Sequence, residues 1–370
     1  MPRDNRIGSR VAIISVLMRR ATTYLLTLLA AAGCATGSAV QDKPAEAAMT
    51  VAWQKEIEIA GAAHLAIGRR AIVMAGSESG LSAYALDDGR PLWRNDKKSV
   101  VQPVITSGLV VIATPDGVEA LNEESGETAW QAPGPTNGLP PSLHATDQLV
   151  VLTRGQEIQA WRSGGSPVWQ KTLPSAPTTG FVTAGASLLI GLRTPAIVSI
   201  SAATGEIEWT AEVPAPPTAL TILGDRLFAP GTDGRLSAYR IDRGLKLKWR
   251  FRAVPAIGDT VVDERRAYFT LIDNTVRALD LDGGAQRASY PLASRPVGGA
   301  ILVGATLFVP LADGDVARIS VTPGTKPDAA KPAPKTSVRL SAAAASEGRV
   351  YAIVTPENGA TTMTAWRIAR

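Results

Sequence analysis

The regular spacing of the tryptophans constrains this chain more than any other feature of its sequence. Six of them follow one another at intervals of 37 to 40 residues. A single buried tryptophan is ordinary core material, but a series on a period near 40 indicates a tandem array of one structural unit. The series, which we predict to pack the units together, consists of Trp53, Trp93, Trp130, Trp169, Trp209 and Trp249.

A glycine turn precedes most of these tryptophans by four residues. The turn at Thr204 and Gly205, for example, is followed by Trp209. Tight hairpins need a residue that accepts a positive φ without strain, which explains the glycine. The same interval separates Gly89 from Trp93, Gly126 from Trp130 and Gly165 from Trp169, whereas the pair Gly244 and Trp249 is one residue wider.

Short apolar strands occupy the rest of each unit, several of them followed by a hairpin dipeptide such as Asp116–Gly117 or Asp233–Gly234. No stretch after the leader shows sustained helical periodicity. The 321 residues from position 50 onward accommodate eight units of about 40. Four short antiparallel strands per unit is the composition of a propeller blade. The sequence therefore predicts an all-β, eight-bladed β-propeller of four-stranded antiparallel blades over residues 49–370.

The two ends of the array complement each other. Val51–Lys55 is a tryptophan strand with no blade before it, and the last unit stops after Thr364–Ile368 without a tryptophan strand. Pairing the spare strand with the incomplete blade protects two edges that would otherwise promote aggregation. We therefore expect Val51–Ile57 to pair beside Thr361–Ala369, so that the N-terminal strand closes the last blade.

Units six and seven depart from the repeat. Unit six has the glycine turn at Gly283–Gly284 but no tryptophan after it. Unit seven is followed by residues 322–336, a stretch rich in Pro, Ala and Lys that lacks the apolar residues needed for a core. We predict that 322–336 is an exposed low-complexity loop.

The first 33 residues have the composition of a signal peptide. Two arginines after Met18 precede an apolar run that is too short to span a bilayer, which needs ~20 residues. Met18 is an alternative translation start. Ala31–Cys34 resembles the lipobox of bacterial lipoproteins, which implies lipidation of Cys34, the one cysteine of the chain. Residues 34–48 then form a lipidated tether. The alternative is a plain signal peptide with an incidental cysteine.

Charge and residue usage argue against several function classes. The chain has 38 basic and 33 acidic residues, but most of the excess lies in the leader, so no nucleic-acid surface is implied. His64 and His144 are the two histidines, and we expect both to be structural. The sequence contains neither zinc-ligand spacing nor a calcium loop. We therefore predict a chain that is not an enzyme, with no catalytic residue, cofactor or metal.

The blade pattern, a Thr-Gly turn with a Trp four residues later, resembles the repeat of the PQQ-like propellers, and the resemblance covers roughly residues 50–370. Within that superfamily the chain is similar to the BamB family of eight-bladed outer-membrane assembly lipoproteins. The stretch Ser175–Thr179, which reads SAPTT, looks like a segment of that family. The resemblance implies partner contact through this loop, whose residues are Leu173, Ser175, Ala176, Pro177, Thr178 and Thr179.

The same resemblance implies a monomeric propeller on the periplasmic face of the outer membrane, anchored by its N-terminal lipid. It implies a non-enzymatic scaffold for protein partners in the cell envelope, among them the β-barrel assembly complex. Two alternatives remain at this point: a propeller lipoprotein with a different envelope or surface partner, and a degenerate quinoprotein dehydrogenase.

Overall fold

The computed structural model describes residues 49–59, 63–76, 78–99, 101–256, 258–313, 316–321, 338–346, 349–356 and 360–368. The predicted signal peptide 1–33 with Met18, the lipidation site Cys34, the tether 34–48 and the loop 322–336 lie outside these residues. Among the residues described, none forms a helix that is long and apolar enough to span a membrane.

The strands form eight antiparallel sheets, which we call blades 1 to 8 in chain order. Blade 1 contains β2 (Ala63–Ile67), β3 (Ala71–Gly76), β4 (Gly80–Ala85) and β5 (Pro91–Asn95); blade 2 contains β6 (Val104–Thr106), β7 (Leu109–Thr114), β8 (Gly117–Asn122) and β9 (Thr128–Pro133); blade 3 contains β10 (Pro141–Ala145), β11 (Leu149–Arg154), β12 (Glu157–Arg162) and β13 (Pro167–Thr172); blade 4 contains β14 (Val182–Ala184), β15 (Ser187–Leu192), β16 (Ala196–Ser201) and β17 (Ile207–Glu212).

The remaining blades follow the same order. Blade 5 contains β18 (Thr221–Leu223), β19 (Arg226–Pro230), β20 (Arg235–Ile241) and β21 (Leu245–Arg252); blade 6 contains β22 (Val261–Val262), β23 (Arg266–Leu271), β24 (Thr275–Asp280) and β25 (Gln286–Pro291); blade 7 contains β26 (Ile301–Val303), β27 (Thr306–Pro310) and β28 (Val316–Ser320); blade 8 contains β29 (Val338–Ser346), β30 (Arg349–Pro356), β31 (Thr362–Ile368) and β1 (Met49–Glu56). Three strands of blade 7 are described, and the other seven blades have four. The predicted eight-bladed propeller is confirmed.

The ring closes where the two ends of the array meet. β1 is antiparallel to β31, from Met49 opposite Ile368 to Glu56 opposite Thr362. The pairing continues beyond the strand, because the Ile57 amide donates to the Thr361 carbonyl at 2.9 Å. The N-terminal strand is thus the outermost strand of blade 8, as its sequence predicted.

Neighbouring blades pack face to face, and alternate side chains of one strand serve the two interfaces. In β3, Ala71 and Val73 pack towards blade 2, whereas Ile72 and Met74 pack towards blade 8. Successive side chains of a strand point to opposite faces. Since both faces of β3 are covered, all six of its residues are buried. The second strand of a blade therefore reads as a continuous apolar run instead of an alternating one.

The tryptophans join each blade to the next one. The indole Nε1 of Trp169 in blade 3 donates to the Ala202 carbonyl in blade 4 at 2.9 Å. Its ring also covers Gly205, where an added Cβ would lie 2.6 Å from a ring atom and φ is +72°. Five tryptophans donate in this way at 2.7–3.0 Å: Trp53 to Leu86, Trp93 to Glu123, Trp130 to Ser163, Trp169 to Ala202 and Trp249 to Leu281.

Trp209 is the exception among the six. It is half-buried, and no indole hydrogen bond of this kind is formed by it within the described residues. By analogy with the other blades, Trp209 would pack on the turn of blade 5 that contains Gly244. This is the turn in which the glycine precedes the next tryptophan, Trp249, by five residues instead of four. Arg243 there has a φ of 47°, and an added Cβ on Gly244 would meet nothing within 4 Å. The extra residue has moved the glycine away from the tryptophan.

Blade 6 has no tryptophan at the equivalent position. Ala288 lies opposite Ala278 in the same register as Trp249 opposite Ala238 in blade 5. Two residues later, Tyr290 is buried in the interface with blade 7. An alanine and a tyrosine thus take the place of the tryptophan in this blade.

We predict that Trp169→Ala lowers the free energy of unfolding by ~3–5 kcal/mol, as expected for a large-to-small core change. Trp209→Ala should cost less, because Trp209 has neither the glycine contact nor the carbonyl bond. Urea unfolding of the two variants compares them directly. An equal loss of stability would contradict the packing role that we assign to the glycine turn.

We also predict that deleting residues 49–58 lowers thermal stability sharply and promotes aggregation. The deletion removes β1 and leaves the edge of β31 unpaired. Deleting residues 35–47, in a protein also made without lipid, should leave the melting temperature unchanged. Similar melting of the two truncated proteins would refute closure by β1.

Candidate protein-binding face

The connections between strands divide the propeller into two faces. The loop face carries the long connections between blades, such as residues 173–181, and the hairpins that join the second and third strands, such as 193–195. The turn face carries the other two hairpins of each blade, such as 185–186 and 202–206. Loops on a rigid scaffold are where binding residues concentrate, so each face is a candidate.

On the loop face, four successive blades repeat one local structure. A residue of the incoming connection bridges to the end of the second strand or just beyond it, in the pairs Pro177–Leu192, Pro217–Gly231, Ala256–Leu271 and Pro296–Leu311. In blade 4, the Thr178 amide donates to Gly191 at 2.9 Å and the Arg193 amide donates to Ala176 at 2.8 Å. These backbone bonds hold the long connections of blades 4 to 7 against the second strands.

The predicted partner loop, Leu173 to Thr179, is one of these bridges. Leu173 is 2% exposed and packs in the core between blades 3 and 4. The Ser175 hydroxyl accepts from the Thr194 amide at 3.2 Å, and the Thr179 hydroxyl accepts from the Gly191 amide at 2.9 Å. Ser175, Ala176, Pro177, Thr178 and Thr179 are all half-buried. The structure thus brings these residues together at the loop face, and their contact with a partner stays a prediction.

Exposed apolar side chains mark the loop face in a way that sequence reasoning missed. Among the described residues, the large exposed hydrophobic side chains of this face are Leu139, Ile272 and Val297, and the other three lie on outer strands. Val297 is the most exposed of the six, at 61%. A single apolar residue in a polar loop has no periodicity to reveal it, although Val297 does stand out between Pro296 and Gly298.

Ile272 and Val297 belong to one region, where blade 6 meets blade 7. The connection that carries Val297 is fixed to blade 6 at both ends. The Leu292 amide donates to the Asn274 carbonyl at 2.8 Å, and the Ala300 amide donates to the Thr270 hydroxyl at 3.1 Å. Both apolar side chains are therefore presented by backbone that is held in place.

The turn face differs because several ion pairs join neighbouring blades across it. Arg226 and Asp282 form an ion pair at 2.6 Å, and Arg70 pairs with Glu124. The buried Glu123 carboxylate accepts from the Arg70 amide at 3.0 Å. A cavity of about 580 Å³ is lined by Arg70, Glu123 and Glu124, among other residues. None of the large exposed hydrophobic side chains in the described chain lies in the turns of this face.

The histidines contribute to structure in the inner strands. His144 in β10 lies with its Nε2 3.0 Å from the Thr183 hydroxyl of blade 4, and its ring centre is 6.2 Å from that of Phe181. Burial lowers the pKa of His144, so the neutral ring is favoured. His64 lies in β2 and is half-buried. In the described part of the chain, no group of three or more His, Cys, Asp or Glu could hold a metal ion.

A family model described as outer membrane protein assembly factor BamB matches residues 45–179 and 154–321. The chain belongs to the BamB family. The outer membrane protein assembly factor BamB of Bordetella pertussis is 26% identical over 297 residues, which cover 72% of this chain and 76% of that protein.

Solved structures extend the comparison of the fold. BamB from Moraxella catarrhalis superposes with a TM-score of 0.69 at 18% identity, covering 87% of this chain and 98% of the other. A quinohemoprotein alcohol dehydrogenase from Pseudomonas putida superposes with a TM-score of 0.63 at 13% identity, covering 87% of this chain and 76% of the enzyme. At these identities both similarities concern the fold alone.

Proposed function

We propose that this BamB-family propeller is a non-enzymatic scaffold that helps to assemble β-barrel proteins of the outer membrane. Support comes from the family match over most of the chain and from the Bordetella pertussis relative, whose name assigns it to outer-membrane protein assembly. Its partner would be a protein of the assembly complex at the periplasmic face. A quinone-dependent activity is not proposed, because the likeness to the dehydrogenase is one of fold alone.

The observation that carries the proposal is the contrast between the two faces. Protein-binding surfaces combine apolar anchors with a polar rim. The loop face provides Ile272 and Val297 on backbone that is held by hydrogen bonds, with the exposed Arg295 in the same connection as Val297 and the exposed Arg193 in a hairpin of blade 4. Among the described residues, no large exposed hydrophobic side chain lies in the turns of the turn face. We therefore assign partner binding to the loop face, with the half-buried segment Ser175–Thr179 as a further part of the contact.

We predict that Val297→Asp and Ile272→Asp each reduce recovery of the barrel-assembly protein at least about tenfold, because a charge in a desolvated contact costs several kcal/mol. The measurement is a pull-down from solubilised envelopes with the lipidated protein as bait. Ile207→Asp is the matched control, since Ile207 is an exposed apolar residue on the outer strand β17.

Each outcome decides between the candidate functions. If recovery of the barrel-assembly protein is lost with Val297→Asp and Ile272→Asp but kept with Ile207→Asp, the proposed contact is supported. Recovery of a different envelope protein, lost in the same variants, would support a propeller lipoprotein with another partner. Unchanged recovery in all three variants would refute the loop face as the binding surface.

We further propose that the mature protein begins at Cys34 and is anchored through lipid on that residue, with residues 35–48 as its tether. Mass spectrometry of the membrane fraction should find an acylated N-terminal Cys34 and no peptide from residues 1–33. An unmodified Cys34, or protein recovered entirely from the soluble periplasm, would contradict the anchor and favour a plain signal peptide.

A further inference from the structure

The outermost strand of blade 5 differs in charge from the other outer strands that the structure describes. β21 (Leu245–Arg252) reads LKLKWRFR and carries four basic residues and no acidic one. The equivalent strands of blades 1 to 4 and 6 carry at most one basic residue each, and β17 carries two acidic residues. The repeat itself therefore does not require these cations.

Most of the cations on β21 are free of ion pairs. Lys246 pairs with Asp242, which also pairs with Arg240. Lys248, Arg250 and Arg252 are exposed, and no carboxylate in the described chain pairs with them. The closest polar contact among them is from Arg250 Nε to the Ser237 hydroxyl, at 3.4 Å. Three cations thus remain available to an external anion.

The geometry of the strand spreads these cations along the rim of the propeller. β21 is eight residues long, against five or six in blades 1 to 4 and 6, and at about 3.3 Å per residue it extends roughly 26 Å. The register shifts between Leu247 and Trp249, so that Arg250 and Arg252 lie on one side of the blade and Lys246 on the other. Leu247 stands among them at 49% exposure.

This arrangement suits a planar anionic surface better than an added strand from another protein. A bulge and lysine side chains on an edge strand are devices that hinder pairing with a further strand. Cations spaced along an outer strand can reach a flat layer of phosphates, while the aliphatic stems of Lys and Arg and a neighbouring leucine contact its apolar boundary. Each Lys or Arg near an anionic membrane contributes about 1 kcal/mol.

We propose that β21 is a membrane-contact strand, which holds the rim of blade 5 against anionic phospholipid through Lys248, Arg250 and Arg252. It would act as a second, electrostatic attachment besides the lipid proposed for Cys34. The inference concerns the rim of the propeller and does not depend on the partner assigned to the loop face.

The test measures co-sedimentation with lipid vesicles. The protein is the chain from residue 34 with Cys34→Ser, which is free of lipid and retains the whole propeller unit, Ala45–Arg370. It should bind phosphatidylglycerol vesicles and not phosphatidylcholine vesicles, and binding should weaken as salt is added. The triple variant Lys248→Glu/Arg250→Glu/Arg252→Glu should bind at least about tenfold more weakly.

A matched control makes the same change in net charge elsewhere. Arg69, Lys98 and Arg162 are exposed and form no ion pair in the described chain, and their triple replacement by Glu should leave vesicle binding near that of the parent. Melting temperatures establish that both variants fold, and Lys248→Arg/Arg250→Lys/Arg252→Lys should bind normally. Absence of binding by the parent, or equal losses in the two Glu variants, would overturn the proposal. Soluble polyglutamate and an excess of small, non-sedimenting phosphatidylglycerol vesicles can each be added as competitors for the protein bound to sedimenting vesicles. If polyglutamate releases the protein as effectively as the competing vesicles do, the strand would instead be assigned to an acidic protein partner.

Discussion

The pairing of β1 with β31 is the interaction on which the rest of the structure depends. A propeller blade buries its two faces only between neighbours, so an open array would expose one face at each end. By supplying the outer strand of blade 8, the N-terminal segment converts eight units into a ring in which every blade has two neighbours. The contacts that join Met49–Glu56 to Thr362–Ile368 span almost the whole propeller in sequence. Such a contact costs loop-closure entropy, which the rest of the ring must offset.

A tryptophan contact of the kind that joins the other blades also joins blade 8 to blade 1, where the ring closes. Trp53 lies on β1 and donates to the Leu86 carbonyl of blade 1, in the same way as Trp169 donates to Ala202 between blades 3 and 4. Its ring centre is 6.1 Å from that of Tyr351 in blade 8. The closing strand therefore supplies both the missing edge of blade 8 and the contact from blade 8 to blade 1. Loss of this strand would remove two kinds of interaction at once.

Because the core of the ring lies between the blades, the side chains on its outer surfaces can vary in chemical character. Three surfaces of this propeller differ in that way. The loop face presents apolar side chains on fixed connections, ion pairs join neighbouring blades across the turn face, and the rim of blade 5 carries unpaired cations. These differences occur at exposed positions whose side chains do not take part in the packing between blades. Protein contact at one surface and lipid contact at another are compatible, because the core does not depend on either surface.

The sequence by itself determined the fold class, the number of blades and the way in which the ring closes. A tryptophan period near 40, a glycine at each turn and two complementary ends are local signals, and each has a physical cause that can be inferred without coordinates. The second strands were also readable from their continuous apolar runs, since burial on both faces leaves no polar side to alternate. The longer interval at Gly244 was visible too, but its effect on Trp209 was not.

Only the tertiary structure decided which residues are accessible. Leu173 looked like part of a contact loop and is buried in the core between two blades, whereas Ile272 and Val297 have no periodicity that would predict their exposure on the loop face. The segment from Ser175 to Thr179 looked distinctive, yet three other blades make the same bridge with different residues. Accessibility depends on contacts between residues far apart in the chain, and a single loop residue has no periodicity from which those contacts could be inferred.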